Sequence, residues 1–288
     1  ATIDLVATDA GELDAVLVSV CSSVVRPGRI GLRSLAGADE GLLVRASPTH
    51  ATLMPHGGPA VLELIARSLQ SAGCAPDRDP DPRALYPEAE SDVEAAVLAA
   101  LAVAPSPLAV DLLLDQPRRW AGKPWQTPGP RDLRLRRLIT PPLVAVVGPP
   151  NVGKSSLLNA LAGREAAVVH DAAGTTRDHV GAMIDLAGLV VRWADTPGRR
   201  DATGVERAAI EASLPLDHRA DLLVAMGDAT SDDPRALAAP TPVLVVAGRA
   251  DLGTPSWSAD LAVSAKTGAG IPELVRTLRA ALVPDADL

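Results

Sequence analysis

The chain has 288 residues, enough for two domains with separate cores, and its net charge of −8 excludes non-specific nucleic-acid binding by the surface as a whole. With 47% hydrophobic residues but no Phe and a single Tyr, the cores must be built from Leu, Val and Ala. Cys21 and Cys74 lack metal-ligand spacing, the start Ala1-Thr-Ile-Asp4 has no signal-peptide pattern, and the longest uncharged run, 95–110, is broken by Pro105 and Pro107, so a membrane span is excluded and a reduced, cytoplasmic setting is expected.

Residues 1–75 mix short apolar segments, Ala15 to Val20 and Gly41 to Val44, with one clear helix pattern. In Pro59-Ala-Val-Leu-Glu-Leu-Ile-Ala-Arg-Ser-Leu-Gln70 a proline opens the helix and apolar side chains follow at helical spacing. This part reads as a small α/β domain. Residues 76–137 read as a linker and helical segment: a Pro/Asp-rich stretch from Cys74, helices over 88–104 and 108–116, then an irregular connector from Lys123 to Pro130. Charge is unevenly divided, with −9 over 1–115, +6 over 116–137 and −5 over 138–288.

Residues 138–288 change pattern. Leu143 to Val147 is a continuous apolar run, as expected of a strand buried on both faces, and similar runs recur at 189–193, 222–226 and 243–247. Helical stretches separate most of them, which predicts an α/β fold with a mostly parallel, doubly wound sheet. Asp185-Leu-Ala-Gly-Leu189 predicts a tight turn and one antiparallel strand.

Gly148-Pro-Pro-Asn-Val-Gly-Lys-Ser155 falls between the first of these strands and a helix, the context that makes Gly-x4-Gly-Lys-Ser a phosphate-binding P-loop. Backbone N–H groups over Asn151, Val152, Gly153, Lys154, Ser155 and Ser156 would wrap the phosphates, Lys154 would reach the β/γ-phosphates and Ser155 would ligate Mg²⁺. Lys is rare here: Lys123, Lys154 and Lys266 are the only three, and two of them fall in nucleotide-site motifs. Asp195-Thr-Pro-Gly198 follows the 189 strand and fits the Mg²⁺/γ-phosphate element, Asp195 through a metal water and Gly198 through its N–H. Between these motifs, Thr176 in Asp171-Ala-Ala-Gly-Thr-Thr-Arg-Asp178 would complete the Mg²⁺ shell.

Guanine is the expected base. Asp251, in Arg249-Ala-Asp251 after the 243 strand, would accept from the guanine N1–H and N2–H₂, which adenine does not offer together. In Ser264-Ala-Lys266, the Ala265 N–H would donate to O6 and the Lys266 stem would pack on the ring. GTPases usually read Asn-Lys-x-Asp where this chain reads Gly248-Arg249-Ala250-Asp251. Losing the neutral hydrogen bonds of an Asn, at about 0.5–1.5 kcal/mol each, predicts an affinity about tenfold weaker, with base choice retained by Asp251.

The stretch Gly148-Pro-Pro-Asn-Val-Gly-Lys-Ser-Ser-Leu-Leu-Asn-Ala-Leu-Ala-Gly-Arg-Glu-Ala166, with Asp171-x-x-Gly-Thr-Thr-Arg-Asp178, resembles the MnmE (TrmE) tRNA-modification GTPases, and His56-Gly-Gly-Pro-Ala-Val-Leu62 is similar to a motif of that family's dimer-forming N-terminal domain. The resemblance implies a P-loop G domain over 138–288, GTP hydrolysis to GDP and phosphate, and homodimers through the G domains and the N-terminal domain. It also implies a K⁺ ion held by Asn151 and by a loop containing Gly174 and Thr175, and a water-orienting role for Glu206. Position 199 is Arg, where Ras-like enzymes carry the water-orienting Gln. The family's C-terminal helical half and Cys-x-Gly-Lys ending have no counterpart within these residues. Its folate-site stretch is replaced by the linker from Ala75, and a folate-contacting Glu falls near Thr52, so the resemblance does not extend to folate-dependent uridine chemistry.

Two further readings compete with a hydrolase linked to tRNA wobble-uridine modification. One is a non-catalytic GTP-sensing adaptor. The other is a ribosome- or rRNA-associated assembly GTPase, for which residues 118–137 supply Arg118, Arg119, Arg131, Arg134, Arg136 and Arg137 with Trp120 and Trp125, able to meet tRNA or rRNA phosphates and stack bases. Against RNA stands an alternative in which the Trp side chains dock on the G domain and the arginines are solvated or pair with the acidic N-terminal part.

Overall fold

The computed structural model describes residues 2–77, 79–163, 182–195, 220–237 and 241–288, which divide into two compact units. The first comprises Ala1–Ala102 with Gln116–Ala121, the second Val103–Asp115 with Gly122–Leu288. Segment 76–137 therefore contributes to both.

In the first unit, β1 (Ile3–Val6), β2 (Arg29–Leu35), β3 (Asp39–Arg45) and β4 (His50–Met54) form an antiparallel sheet in the order β1-β4-β3-β2. The apolar segment 15–20 lies in α1 (Ala10–Cys21), a helix that Asp9 caps by accepting from the N–H groups of Gly11 and Glu12. The segment 41–44 lies in β3, whose period-two alternation buries Leu43 and Arg45 while Leu42 is exposed. Leu13 and Leu17 of α1, Ile65 and Leu69 of α2 (Pro59–Ser71), and Leu5, Leu35, Leu43 and Leu53 of the strands make one core. Arg45, 2% exposed, sits inside it because Asp14 accepts from its guanidinium at 2.6 Å and the carbonyls of Ser47 and Pro48 take its other donors. His56 follows β4 in a turn closed by Asp39, which accepts from the His56 backbone N–H at 2.8 Å and pairs with its ring Nδ1 at 2.9 Å. Beyond α2 come α3 (Pro82–Leu85) and α4 (Asp92–Val103). The latter starts four residues later than the pattern predicts because the Ser91 hydroxyl accepts from the Glu94 N–H and fixes the helix entry there.

The second unit is built on a six-stranded sheet in the order β10-β9-β8-β5-β7-β6, from β5 (Leu143–Val147), β6 (Ala182–Leu186), β7 (Leu189–Asp195), β8 (Leu222–Gly227), β9 (Val243–Ala247) and β10 (Leu261–Ala262). Every pairing is parallel except β6 with β7. That hairpin turns through Ala187 and Gly188, both at positive φ, with the Asp185 carboxylate accepting from the Gly188 N–H at 2.5 Å. The P-loop G-domain architecture expected of this half is present. One sheet face is covered by Leu157 and Leu161 of α8 (Lys154–Ala162) and by Ile271, Leu274, Leu278 and Leu282 of α9 (Ile271–Leu282). Ala145, Val147, Leu223, Ala225 and Val245 form a separate cluster with Trp257 beside it.

The helix predicted over 108–116 is α5 (Pro107–Leu114), and a further short helix, α6 (Gln116–Trp120), follows it in the other unit. Just ahead of α5, the buried Ser106 hydroxyl accepts from the Val190 N–H at 3.0 Å and the Leu108 N–H donates to the Gly188 carbonyl at 3.1 Å, so this segment is fastened to the β6–β7 hairpin. Within the basic segment, α7 (Pro130–Leu135) is fastened to the chain's last residues: Arg131 donates to the Asp287 carbonyl and Arg134 to the Asp287 carboxylate at 2.5 and 3.0 Å. Arg137 donates to the Leu282 carbonyl and to Asp221. The partners of these arginines thus belong to the C-terminal half and not to the acidic N-terminal part. Trp125 is 65% exposed, and the Trp120 indole donates to Gln116 within its own helix.

Candidate nucleotide site

All five residues of β5 are buried, and its two neighbours, β7 and β8, come from chain segments that leave it in opposite directions. Ligands in open α/β sheets bind at such a switch point, outside the carboxyl ends of the strands. Gly148 leads out of β5 so close to β8 that a Cβ there would lie 2.1 Å from the Met226 carbonyl oxygen. The loop then passes through Asn151 (φ 65°) and Gly153 (φ 99°) into α8, while Val152, 2% exposed, anchors it in the core. Because the cap residue is Gly153, no side chain caps the first-turn N–H groups of α8, the end of a helix suited to an anion. Lys154 lies folded on the loop, its Nζ donating to the carbonyls of Gly148 (3.1 Å) and Pro149 (3.0 Å).

Next to the loop opens a cleft of about 290 Å³, near the lower size limit of small-molecule pockets. Asn151, Gly153, Ser156 and Leu157 line it from the P-loop and α8, Met226 from β8, Arg249, Asp251 and Leu252 from the segment after β9, and Val263, Ala265 and Lys266 from the segment after β10. Residues from 151 to 266 thus meet in one place, where Asn151, Gly153 and Ser156 of the expected phosphate residues face Asp251, Ala265 and Lys266 of the expected base residues; Val152, Lys154, Ser155 and Ser264 are not in the lining. Ser264, 1% exposed, sits behind them and donates its hydroxyl to Asp251 at 2.7 Å, while its own backbone is held by Ala269 and Gly268. The Ser264 hydrogen bond is the largest influence holding the Asp251 carboxyl below the usual range, with the Lys266 and Arg249 charges adding to it, so Asp251 is an anion at neutral pH. That is the state a two-donor base edge requires.

Lys154 and Ser155 lie in the first turn of the same helix. Asp195 ends β7 in register with Val146 of β5, which sets its backbone at the carboxyl edge beside the P-loop strand. Oxygen donors such as Ser155 and Asp195 suit the hard cation Mg²⁺, so the residues present fit that ion. Gly174, Thr175, Thr176, Gly198, Arg199 and Glu206 lie outside the described residues. Sequence reading missed Leu157, Met226, Leu252 and Val263 in the cleft wall, and Asp228, which pairs with the lining Arg249 at 3.2 Å. Asp228 directly follows β8 at the carboxyl edge, and that position was the available signal.

Residues 143–247 match a family model described as a 50S ribosome-binding GTPase. The tRNA modification GTPase MnmE of Acidiphilium cryptum is 47% identical over 138 residues, 48% of this chain and 32% of that protein. Its counterpart in Parvibaculum lavamentivorans is 45% identical over 141 residues, again 48% and 32%. The chain therefore spans about a third of the length of the curated relatives it matches. Among solved structures, Aquifex aeolicus Era bound to GDP·AlF₄⁻ is 28% identical over 49% of this chain and 56% of its own, with a TM-score of 0.38.

Proposed function

We propose that this chain, whose G domain is of the MnmE-type GTPase family, binds GTP in the cleft beside the P-loop and hydrolyses it to GDP and phosphate in the cytoplasm. What supports the reading is the convergence of Asn151 and Gly153 with Asp251, Ala265 and Lys266 in one cleft at the carboxyl edge of the sheet. In it, the amides from Gly153 to Ser156 and the Lys154 ammonium grip the β- and γ-phosphates, and GTP displaces the contacts of Lys154 with the loop carbonyls. Asp251 and the Ala265 N–H read the guanine edge, and Lys266 covers its face. Ser155, Asp195 and Thr176 would hold Mg²⁺, which when bound would neutralise phosphate charge.

The hydrolytic step asks for a group that stabilises transition-state charge, worth about 10³–10⁵ in rate where an arginine finger supplies it. We assign that task to K⁺ bound by Asn151 and the 174–175 loop when two G domains associate, with Glu206 orienting the attacking water. By likeness to relatives named for tRNA modification, the cycle acts on a tRNA-bound assembly, and dimerisation extends to the N-terminal domain. The test is GTP turnover at high protein concentration in K⁺ against Na⁺ for the wild type and Asn151→Ala. Turnover should rise in K⁺ for the wild type only. Equal turnover in both salts removes the potassium mechanism, and GTP binding without turnover in either salt makes the chain a GTP-sensing adaptor.

A further inference from the structure

We propose that Met226 and Gly248 leave N7 of the bound purine unread, so that the cleft takes 7-deazaguanine nucleotides, in which a C–H replaces N7, at least as readily as GTP and GDP. The proposal rests on the reading of the cleft as a guanine-nucleotide site.

Guanine presents the donors N1–H and N2–H₂ and the acceptors O6 and N7. On the proposed reading the Asp251 carboxylate takes both donors and the Ala265 N–H takes O6. N7 and C8 lie on the ring perimeter between O6 and the sugar, so they face whatever stands between the base-reading residues and the phosphate loop. Met226 stands there. It is the next-to-last residue of β8, pairs with Val246 of β9, is 2% exposed and lines the cleft. Its methyl carbon lies 3.7 Å from the place a Cβ on Gly153 would take and 2.3 Å from the place of one on Gly248. An unbranched thioether suits such a gap between glycines, and it has no N–H or O–H to donate.

Gly248 opens the loop after β9, at the position where GTPases usually carry an Asn. The residue is not at positive φ, so it is room and not backbone conformation that keeps a side chain out. A Cβ there would meet the Val152 carbonyl oxygen at 2.8 Å as well as the Met226 methyl. The Gly248 backbone N–H already donates to the Gly227 carbonyl at 2.7 Å. Nearby, Arg249 Nη1 is engaged with the Asn151 carbonyl and the Asp228 carboxylate, and Lys266 is assigned to the ring face. The N7 lone pair therefore meets a methyl group. An acceptor that leaves water for such a neighbour gains no hydrogen bond in return, whereas a C–H at the same place loses none.

The test is calorimetric titration of the wild type, Met226→Gln and Met226→Leu with GDP, 7-deaza-GDP and ADP. The wild type should bind 7-deaza-GDP as tightly as GDP within about twofold, or more tightly; a loss greater than about twofold overturns the proposal. Gln has nearly the length of Met and brings an amide donor to the place of the methyl. Met226→Gln should therefore come to prefer GDP over 7-deaza-GDP by about fivefold, the value of one neutral hydrogen bond. Met226→Leu, which keeps the volume and adds no donor, should stay indifferent, a contrast that a packing role for Met226 would not produce. A Gln variant that binds GDP without gaining this preference overturns the placement of Met226 at N7. Should that variant fail to fold, the wild-type comparison decides alone. Wild-type protein that binds neither GDP nor 7-deaza-GDP, or binds ADP as well as GDP, sinks the guanine reading itself, an outcome distinct from a preference for GDP over its 7-deaza form.

Discussion

On the proposed reading Asp251 bears the choice of base, and replacing its acceptor oxygen with a donor tests that choice. The Ser264 hydroxyl occupies part of the carboxylate, and the depressed pKa keeps it ionised. An amide at this place presents an N–H₂ to the base, which repels the donors of guanine but matches the C2 carbonyl of xanthine. Asp251→Asn should therefore lower GTP affinity about 10–100-fold, the value of a charge-assisted hydrogen bond of about 1.5–3 kcal/mol, and should raise affinity for XTP. Competition binding with GTP, XTP and ATP checks this, and unchanged GTP preference would remove Asp251 from the base site. The residues that identify this site share one property. Gly148 admits no Cβ beside the Met226 carbonyl and Gly153 takes a positive φ, and both, with Lys154 and Asp251, sit in short motifs, so they are visible from local sequence. Asp228 and Met226 are not visible in this way, because an Asp after a strand and a Met within one are ordinary until the fold brings Arg249 and Gly248 against them.

Among the elements, those with strong local signals formed where the pattern put them. Leu143–Val147 and Val243–Ala247 are strands because continuous apolar runs of five suit a sheet covered on both faces, and the 185–189 turn is a hairpin because Gly188 accepts positive φ. Ala15 to Val20 gave no clear sign of its helix, since that run is apolar on all sides; Asp9 settles it by capping the chain six residues earlier. Asp9→Ala should cost about 1 kcal/mol in urea unfolding, the usual loss for a helix N-cap, while leaving nucleotide binding by the second unit unaltered. Loss of nucleotide binding in that variant would mean that the two units do not hold their structures independently. The helix α6 and its place in the other unit were not legible, because the five residues Gln116-Pro-Arg-Arg-Trp120 are too few to show an apolar period.

For the molecule as a whole, the basic stretch has a structural duty that charge counting does not disclose. Arg131, Arg134 and Arg137 hold Asp287, Leu282 and Asp221, so reversing Arg134 would loosen the C-terminal attachment before it tested any RNA contact; the exposed Arg136 is the better probe of RNA. The Arg134 hydrogen bond to Asp287 is the largest influence on that carboxyl and keeps it below its ordinary value. A carboxylate whose folded pKa is depressed stabilises the fold fully above its unfolded pKa, about 3.9, and loses that contribution as pH falls through the folded value. Asp287→Asn should accordingly lower the thermal midpoint at neutral pH, and the gap from wild type should close as pH drops below the carboxylate range. A gap that persists in acid would show that the Asp287 charge is not what holds α7.

From the order of residues alone came the P-loop pattern, the parallel sheet with one hairpin and the likeness of the G domain to MnmE-type GTPases, because each depends on chemistry within a few neighbouring residues. Only the folded chain decided that the loops after β5, β9 and β10 share one cleft, that Met226 fills the room beside Gly248, and that Arg249 bridges Asn151 to Asp228. The two hydrogen bonds of Arg249 alone join residues 98 and 21 positions apart. Their geometry follows from the strand order of the sheet, which no local spacing encodes.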